Sequence, residues 1–560
     1  MSRLAEVSNT LRWQLIFRWT IATCALIDCW ISRFIVDVDT TSYLDIGDQY
    51  WKGNWHLALN AYWSPLFSIL TGLTLRLFRP SIRWEFPAIH LLSFLIFLGT
   101  LACFEFFWRE LLASVGESDV ASESRPYAWS LGYLIFAYIH FFVHPLSRLN
   151  PDLLVAALVY LLFGLMLKFA NERLTIHSAA LFGAVLGIAY LAKTAMLFLG
   201  FVLLATMLAG QWKHRACLRP AGIAMLASLL VTAPFIIAIS LSYHRFTFGD
   251  AGQLNLAYSV NNETPMHRHW QGDEATHIKP LHSTRKLLSW PEVYEFGTPI
   301  AGTYPVWFDP TYWWEGADER MHPIPELKTF IKYIVKIARL QMSDMSLMTI
   351  VTLFALLLSD RICDFWRKLR KLWPILLPAG SAFLVYALVY WEPRYTIGQA
   401  AAIWGALILS LSIADKRLKV KVLRAAAVTL TVMVVYSVFH TFIMDYKSER
   451  RWAEQVTVAE QLRSMGIEPG DRVALIGDGF WESWARLDRV TIVAEVPQQN
   501  MKSGDSAAAF WNSDAESQQT VLNVLKSTGT KAVIASTSSK VLPQGWISVS
   551  RTDHSVLFFR

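Results

Sequence analysis

Two carboxylates stand where the first long apolar run of the chain ends. Asp37 and Asp39 follow the apolar run 13–36, and Tyr43 comes four residues after the second acid. Ionisable groups at the edge of a bilayer are costly unless they face a cavity or a partner. A carboxylate in such a place suits the general base of a group-transfer reaction. Asp37 and Asp39 are therefore candidate catalytic residues, and Tyr43 is a candidate for substrate binding, although a solvated acidic loop would also explain the two acids.

A third acid begins a later apolar run. Arg148 and Asp152 belong to the sequence Arg-Leu-Asn-Pro-Asp, which directly precedes the run 152–170. Acids are favourable at helix N-termini, so Asp152 could simply cap the helix. It could also face Asp39 across a shared cavity, and these two roles are compatible. We count Asp152 among the candidate catalytic residues and Arg148 among the candidates for substrate binding.

Cations suited to a phosphate lie at the ends of other apolar runs. The sequence Glu392-Pro-Arg394-Tyr395 forms a charged turn between the runs 373–391 and 396–413. Arg394 offers a planar fork of donors, Tyr395 adds a hydroxyl, and Glu392 could pair with Arg394 or with a neighbouring cation. Lys193 follows the run 177–192 and could neutralise a lipid phosphate. Both cations could also be side chains that extend to the membrane surface without a function.

The elements that must position these residues are membrane helices. Of the 560 residues, 54% are hydrophobic and only 17% are charged, against about 25% in soluble domains. The chain contains apolar runs long enough to approach or cross a bilayer, at 13–36, 64–78, 86–108, 128–145, 152–170, 177–192, 194–211, 220–242, 343–359, 373–391, 396–413 and 422–444. The net charge of +7 resides largely between these runs, so it indicates topology rather than a nucleic-acid partner.

The basic loops predict the orientation. Residues 213–219, 361–371 and 416–424 are rich in Lys and Arg and are expected in the cytoplasm, as is the N-terminus. Twelve crossings would put the N-terminus outside, so one run does not cross. The short run 64–78 is the best candidate for a segment that lies in the outer interface. This leaves about eleven spans, with residues 37–85 and 243–342 as external loops.

The C-terminal region, 446–560, has a different pattern from the transmembrane domain predicted for 1–445. Short β-branched runs at 472–476, 490–496, 531–535 and 555–559 alternate with helical patterns at 452–465 and 517–527. This alternation predicts a small external α/β domain. Gly477 and Gly479 after the first strand hint only weakly at a nucleotide loop, because the glycine pattern is incomplete.

The positions of the cysteines and histidines give little support for a metal site or a disulfide. The five cysteines lie in or beside apolar segments, so no disulfide framework is predicted. His267 and His269 could bind a metal, but they have no spaced acidic or cysteine partner. No metal site or other cofactor is therefore assigned.

The order and spacing of these motifs resemble the GT-C superfamily of polyprenyl-phosphate-sugar-dependent glycosyltransferases. The resemblance is greatest to its protein O-mannosyltransferase and aminoarabinose-transferase branch and covers about residues 1–445. The stretch from Asp37 to Tyr43 is similar to the first external loop of that branch, and Asp152 to the acid that begins a later span. Glu392 to Tyr395 is similar to its E-x-R-Y turn. The branch usually has Asp-Glu where this chain has Asp39-Thr40, so the base could be Asp39 or Asp37.

The resemblance implies a polytopic helical bundle that transfers a sugar on the non-cytoplasmic face, in a bacterial inner membrane. Arg394, Lys193 and Tyr395 would hold the phosphate of a polyprenyl-phosphate sugar in contact with membrane lipids. Asp39 or Asp37 would take the proton of a protein or glycolipid acceptor, and the anomeric configuration would invert. A flippase or transporter of lipid-linked sugars is the alternative, but it would need charged or broken spans near the bilayer midplane. A non-catalytic scaffold is a third possibility.

Overall fold

The structure is a computed structural model of the 560-residue chain. It describes residues 2–116, 124–171, 175–211, 218–261, 280–296, 301–342, 346–357, 359, 361–498, 504–536 and 542–559. Most of these residues are helical, and a small sheet lies mainly in the C-terminal region. The predicted class, a mainly α membrane protein with a small C-terminal α/β region, is confirmed.

Helices account for most of both halves of the chain. The first half forms α1 (Ser2–Ile31), α2 (Val38–Lys52), α3 (Trp55–Ala58), α4 (Pro65–Phe78), α5 (Glu85–Val115), α6 (Arg125–Tyr138), α7 (Asp152–Asn171), α8 (Ile176–Ala192), α9 (Met196–Gln211), α10 (Leu218–Ser242) and α11 (Ala251–Ser259). The second half forms α12 (Pro305–Phe308), α13 (Pro310–Trp313), α14 (Pro323–Met342), α15 (Ser346–Leu357), α16 (Ile362–Lys371), α17 (Trp373–Val389), α18 (Ile397–Ser410), α19 (Lys416–Ser464), α20 (Ser483–Asp488), α21 (Ser506–Asn512) and α22 (Ala515–Ser527).

Over its described residues, each predicted apolar run overlaps one of these helices. Among the described residues, six helices are long and apolar enough to cross a membrane, or seven if the bent pair α16 and α17 is one span. Shorter apolar helices include α4, α8 and α9. The total of about eleven spans, and the placement of α4 in the outer interface, stay predictions.

The sheet has seven strands in the order β1-β2-β4-β3-β5-β7-β6. They are β1 (Arg285–Ser289), β2 (Glu292–Glu295), β3 (Arg472–Gly477), β4 (Thr491–Pro497), β5 (Ala532–Ser536), β6 (Ile547–Ser548) and β7 (His554–Phe558). The central strand β3 runs parallel to β4 on one side and to β5 on the other, while the outer pairs are antiparallel. The four predicted strands are present, but β1 and β2 come from the loop 243–342, which the sequence analysis placed in the transmembrane domain.

The chain forms two compact units, each built from three segments. The first unit comprises Met1–Ser32, His90–Ile237 and Pro323–Lys447, and the second comprises Arg33–Ile89, Ala238–His322 and Ser448–Arg560. The second unit thus combines the predicted C-terminal domain with parts of both predicted external loops. One boundary between the units, at Lys447 and Ser448, lies close to the predicted division between residues 445 and 446.

In the second unit, α2 contains Asp39, has Asp37 as its N-cap, and packs tightly against α4. A Cβ atom added to Gly47 would lie 2.5 Å from the carbonyl oxygen of Ser68, so only glycine permits this approach. The Trp51 indole N–H donates to the carbonyl of Ile69 at 3.0 Å. These contacts fix the position of α2, and with it the direction in which its first turn presents its acids.

A buried ion network joins α2 to the C-terminal region within the second unit. Arg486, in α20, is 1% exposed and contacts the carboxylates of Asp45 at 2.6 Å, Asp48 at 2.8 Å and Glu85 at 3.0 Å. The neighbouring Arg489 contacts Glu85 at 2.6 Å. Burial alone would raise the pKa of Asp48, but the two guanidiniums lower it below its ordinary value. Segments that are hundreds of residues apart are therefore held by charge pairing.

Removing the central cation of this network should strongly destabilise the second unit. In Arg486→Met, three carboxylates lose their buried partner, which costs on the order of 3–5 kcal/mol. The matched change Arg489→Met should cost less, because the Arg489 side chain is 32% exposed. Thermal unfolding of the purified proteins measures both effects.

The same network contributes to the stability of the folded protein, and this contribution is lost in acid. The pKa of Asp48 is lowered in the folded protein, so its contribution is present above the unfolded pKa and is lost as the pH falls through the folded pKa. The difference in melting temperature between wild type and Arg486→Met should therefore shrink in acid. Equal melting temperatures for both arginine variants at neutral pH would contradict this role of Arg486.

Candidate functional site

In the first unit, a buried carboxylate is shared by two cations. Asp152 is 2% exposed, and each of its carboxylate oxygens has its own basic partner. The Lys193 ammonium lies 2.5 Å from Oδ1, and Nε of Arg394 lies 3.5 Å from Oδ2. The structure thus brings together three of the residues that the sequence analysis selected, from three separate parts of the chain.

Each of these side chains stands at the end of an apolar helix. Asp152 is the first residue of α7, and the Asn150 side chain accepts its backbone N–H at 3.0 Å. Asn150, rather than Asp152, therefore satisfies a free N–H at the start of this helix. Lys193 directly follows α8, where the backbone becomes extended. Arg394 lies in a single 3₁₀ turn before α18, which keeps it close to the end of an apolar segment.

Tyr395 contributes its ring to the cluster. The Lys193 ammonium lies 3.5 Å from the centre of this ring, and the Arg394 guanidinium carbon lies 5.3 Å from it. Such cation–π contacts hold the cations without neutralising their charge. The ring of Tyr386, on α17, packs against that of Tyr395, with the ring centres 5.1 Å apart. The phosphate-binding role predicted for the Tyr395 hydroxyl stays a prediction.

Glu392 pairs with a neighbouring cation, the second of the two partners that the sequence left open. Its carboxylate lies 3.1 Å from the ammonium of Lys336, on α14, and accepts the Tyr390 hydroxyl at 3.0 Å. The Trp391 indole N–H donates to the Thr396 hydroxyl at 3.1 Å and closes the turn. The turn is thereby fixed from both sides, and the charge of Glu392 is already matched by a lysine.

The charge balance of this cluster favours an anion. One carboxylate, Asp152, faces two cations, Lys193 and Arg394, so the three side chains carry one excess positive charge. Both cations keep part of their side chain accessible, 21% for Lys193 and 16% for Arg394. Arg148, the further basic candidate, is exposed. Such a pair of donors suits a phosphate or a carboxylate group.

In the second unit, the two predicted acids flank the first turn of α2. The Asp37 carboxylate accepts the backbone N–H of Asp39 at 3.3 Å and so caps the helix. The Asp39 carboxylate accepts the Trp307 indole N–H, also at 3.3 Å. Both acids are partly exposed, so either could reach a substrate. Tyr43 is buried, 6% exposed, with its ring against those of Trp63 and Phe67, so its substrate-binding role stays a prediction.

A cleft opens beside Asp37 within this unit. It is narrow and is formed by three segments of the chain. They are the start of α2, the turn 303–307 and the loop that follows β3. Its acidic lining residues are Asp37, Asp45 and Glu482. This places one of the two candidate bases at the wall of a concave site.

Glu482 is held at the cleft by three donors. It accepts the Trp484 indole N–H at 2.8 Å and the Gln455 amide at 3.2 Å, and it lies 3.1 Å from Nε2 of His554. Burial alone would lower the pKa of His554, but Glu482 and Glu454 raise it to about 9. The imidazole is therefore charged at neutral pH and balances Glu482.

Some predicted residues lie outside the described part of the chain, and some residues of the site were not predicted. His267 and His269 fall outside the described residues, as does most of the predicted cytoplasmic loop 213–219. Sequence reasoning missed Glu482, which lines the cleft, and Arg486 and His554, which pair with acids of the cleft. In the sequence, each of them is only an ionisable residue near a strand or loop of the C-terminal region. Such a position does not identify a partner that is far away in the sequence.

The charged state of His554 should appear as a pH-dependent stability. Its folded pKa of about 9, against about 6.5 for a free histidine, corresponds to on the order of 3 kcal/mol. Because the folded pKa is raised, this contribution is complete below pH of about 6.5 and is lost as the pH rises through about 9. Wild type should therefore melt higher than His554→Gln at pH near 6, and the gap should close near pH 10.

The control is His56→Gln, a change at an exposed histidine of α3 in the same unit. It should leave the melting temperature unchanged throughout the series. A gap for His554→Gln that stays constant with pH would show that packing, not charge, explains its effect.

Comparison with known proteins identifies the fold. The sequence matches no protein-family model and no curated protein. The structure is similar to that of ArnT from Cupriavidus metallidurans in the apo state, with a TM-score of 0.54, 12% identity, and coverage of 98% of this chain and 97% of that one. ArnT bound to undecaprenyl phosphate gives a TM-score of 0.52 at 11% identity, with 97% of both chains covered.

A third match is the archaeal oligosaccharyltransferase AglB from Archaeoglobus fulgidus, in complex with an inhibitory peptide and a dolichol-phosphate. It has a TM-score of 0.46 and 11% identity, and covers 94% of this chain and 70% of that one. The fold conclusion depends on the ArnT structures, which are matched over nearly their whole length. The chain is thus an integral membrane protein with the fold of ArnT.

Proposed function

We propose that this protein transfers a sugar from a polyprenyl-phosphate donor to an acceptor of the cell envelope. The observation that carries the proposal is the buried Asp152 carboxylate with two cations at the ends of apolar helices. ArnT, which shares the fold, has been solved with undecaprenyl phosphate bound. A lipid-linked phosphate is the anion that would reach such a cluster from the membrane.

The charge of the cluster suits the donor and the product. A polyprenyl-phosphate sugar is a phosphodiester with one negative charge, which matches the single excess positive charge of Asp152, Lys193 and Arg394. When the sugar leaves, the phosphate becomes a monoester with a charge of about −1.5 to −2 at neutral pH. The cations therefore attract the leaving group more strongly than the donor, which is the condition for accelerating the reaction.

The base would be Asp39 or Asp37. In the proposed step the carboxylate takes the proton of the acceptor group, whose freed electron pair attacks the anomeric carbon. The bond between that carbon and the phosphate oxygen breaks, and the electron pair leaves on the phosphate. Attack opposite to the leaving group inverts the configuration. The capping bond of Asp37 and the indole bond of Asp39 orient the two carboxylates for this role.

The proposed setting is the non-cytoplasmic face of a bacterial inner membrane. The basic loops 361–371 and 416–424 support a cytoplasmic side for these segments and for the N-terminus. Lys193 and Arg394 stand at the opposite ends of the adjoining predicted spans. The C-terminal domain would then be outside, where envelope acceptors are available.

Replacing the base should abolish transfer while leaving the fold intact. Asn keeps the shape and hydrogen-bonding oxygen of Asp but cannot take a proton at neutral pH. We expect Asp39→Asn or Asp37→Asn, whichever removes the base, to lower turnover by about 10²–10⁴-fold. The assay follows release of polyprenyl phosphate and labelling of envelope glycans by a radioactive donor in proteoliposomes.

The matched control is Asp415→Asn, in a predicted cytoplasmic loop, since Asn caps a helix as well as Asp. It should leave turnover unchanged. Near-normal turnover in both Asp39→Asn and Asp37→Asn would reject the proposed base. Movement of intact donor across the bilayer without release of polyprenyl phosphate would favour the flippase.

A further inference from the structure

The cleft of the second unit lies where open α/β sheets commonly bind ligands. Its loop follows β3, whose parallel neighbours β4 and β5 lie on opposite sides. Ligands of such sheets bind outside the carboxyl ends of the strands, at the point where the strand order reverses. Gly479 lets this loop approach Tyr304, because an added Cβ would lie 2.8 Å from the tyrosine ring. The fold thus forms a cavity here and holds its walls close together.

The walls of the cleft are rich in aromatic rings. Trp307, Trp452, Phe480 and Trp481 all line it. The rings of Phe480 and Trp307 meet edge to face with centres 5.0 Å apart, so these walls are rigid. Trp481 is 47% exposed although it stands beside this cluster. A large ring left accessible at the rim of a concave site offers a flat apolar face to a ligand.

The polar groups of the cleft are mainly hydrogen-bond acceptors, and two of its three acids are paired with cations. Asp45 is paired with Arg486 at 2.6 Å, and Glu482 lies 3.1 Å from the charged His554. No lysine or arginine is among the described residues that line the cleft. A phosphate or nucleotide would find no cation there, which disfavours the nucleotide loop hinted at by Gly477 and Gly479. A ligand with many hydroxyl groups and no charge fits both the rings and the acceptors.

We infer that this cleft binds a neutral carbohydrate ring of the acceptor, with Trp481 as the ring on which the sugar stacks. The inference rests on the proposed function, since it names the acceptor of that reaction. Asp37 lines the same cleft, so a hydroxyl of the bound sugar would lie beside a candidate base. The C-terminal domain then selects the acceptor, because the loop after β3 supplies Phe480, Trp481 and Glu482.

The test measures binding without the donor. The full-length protein in nanodiscs is titrated with neutral disaccharides (chitobiose, maltose and lactose), with glucose 6-phosphate, and with a Ser/Thr-rich peptide, by saturation-transfer NMR. At least one neutral disaccharide should bind, and the phosphorylated sugar and the peptide should not. Trp481→Ala should weaken that binding about tenfold or more, and Trp481→Phe, which keeps a flat ring, should restore part of it.

The matched control is Trp366→Ala, which removes an exposed tryptophan of α16, 53% exposed, outside the second unit. It should leave disaccharide binding unchanged. Binding of the peptide in place of the disaccharides, or equal disaccharide binding by wild type and Trp481→Ala, would overturn the inference.

A second measurement separates this inference from the proposed function. With donor present, Trp481→Ala should raise the KM for a glycan acceptor. Disaccharide binding that depends on Trp481, in a protein that releases no polyprenyl phosphate, would support the sugar site and reject the glycosyl transfer. Transfer to glycans with an unchanged KM in Trp481→Ala would support the transfer and reject this site.

Discussion

A single buried carboxylate, Asp152, determines how the membrane helices can present positive charge. A buried acid is stable only when it is paired, and Asp152 achieves this with two cations from separate segments. The pairing fixes Lys193 and Arg394 near the ends of apolar helices, where they would otherwise extend freely into the headgroup region. These three side chains together carry one excess positive charge. The proposed chemistry uses this excess.

In the second unit a buried charge is also stabilised by pairing, but here one cation is surrounded by several acids. There a buried guanidinium, Arg486, gathers carboxylates from α2 and the start of α5. The network connects α2, with its candidate bases Asp37 and Asp39, to the domain that supplies Trp481. Together with the packing of α2 against α4, this charge pairing determines where the first turn of α2 lies relative to the walls of the cleft within this unit. The proposed transfer reaction needs such a fixed geometry for its base and its acceptor.

The sequence predicted those features that are local or that repeat a pattern. Apolar runs predicted the helices, and β-branched runs predicted four strands. Asp152, Lys193 and Arg394 were selected because each lies at the start or the end of an apolar run. Features that depend on distant partners could not be predicted. Arg486 pairs with Asp45, which is 441 residues away in the sequence. Strands β1 and β2 join the sheet from the loop 243–342, which is far from the other strands in the sequence. Glu392 had two plausible partners, and only packing of α14 against the turn selects Lys336.

The most direct test of the central claim is the affinity for a lipid phosphate. Undecaprenyl phosphate is titrated into the purified protein in nanodiscs, and its Kd is compared for wild type, Lys193→Gln, Arg394→Gln and the control Lys328→Gln. Each of the first two changes brings the net charge of the cluster to zero, so each should weaken binding by about tenfold or more. Lys328 is an exposed cation of α14, and its replacement should leave the Kd unchanged. An identical Kd for all four proteins would contradict the claim that this cluster holds the phosphate.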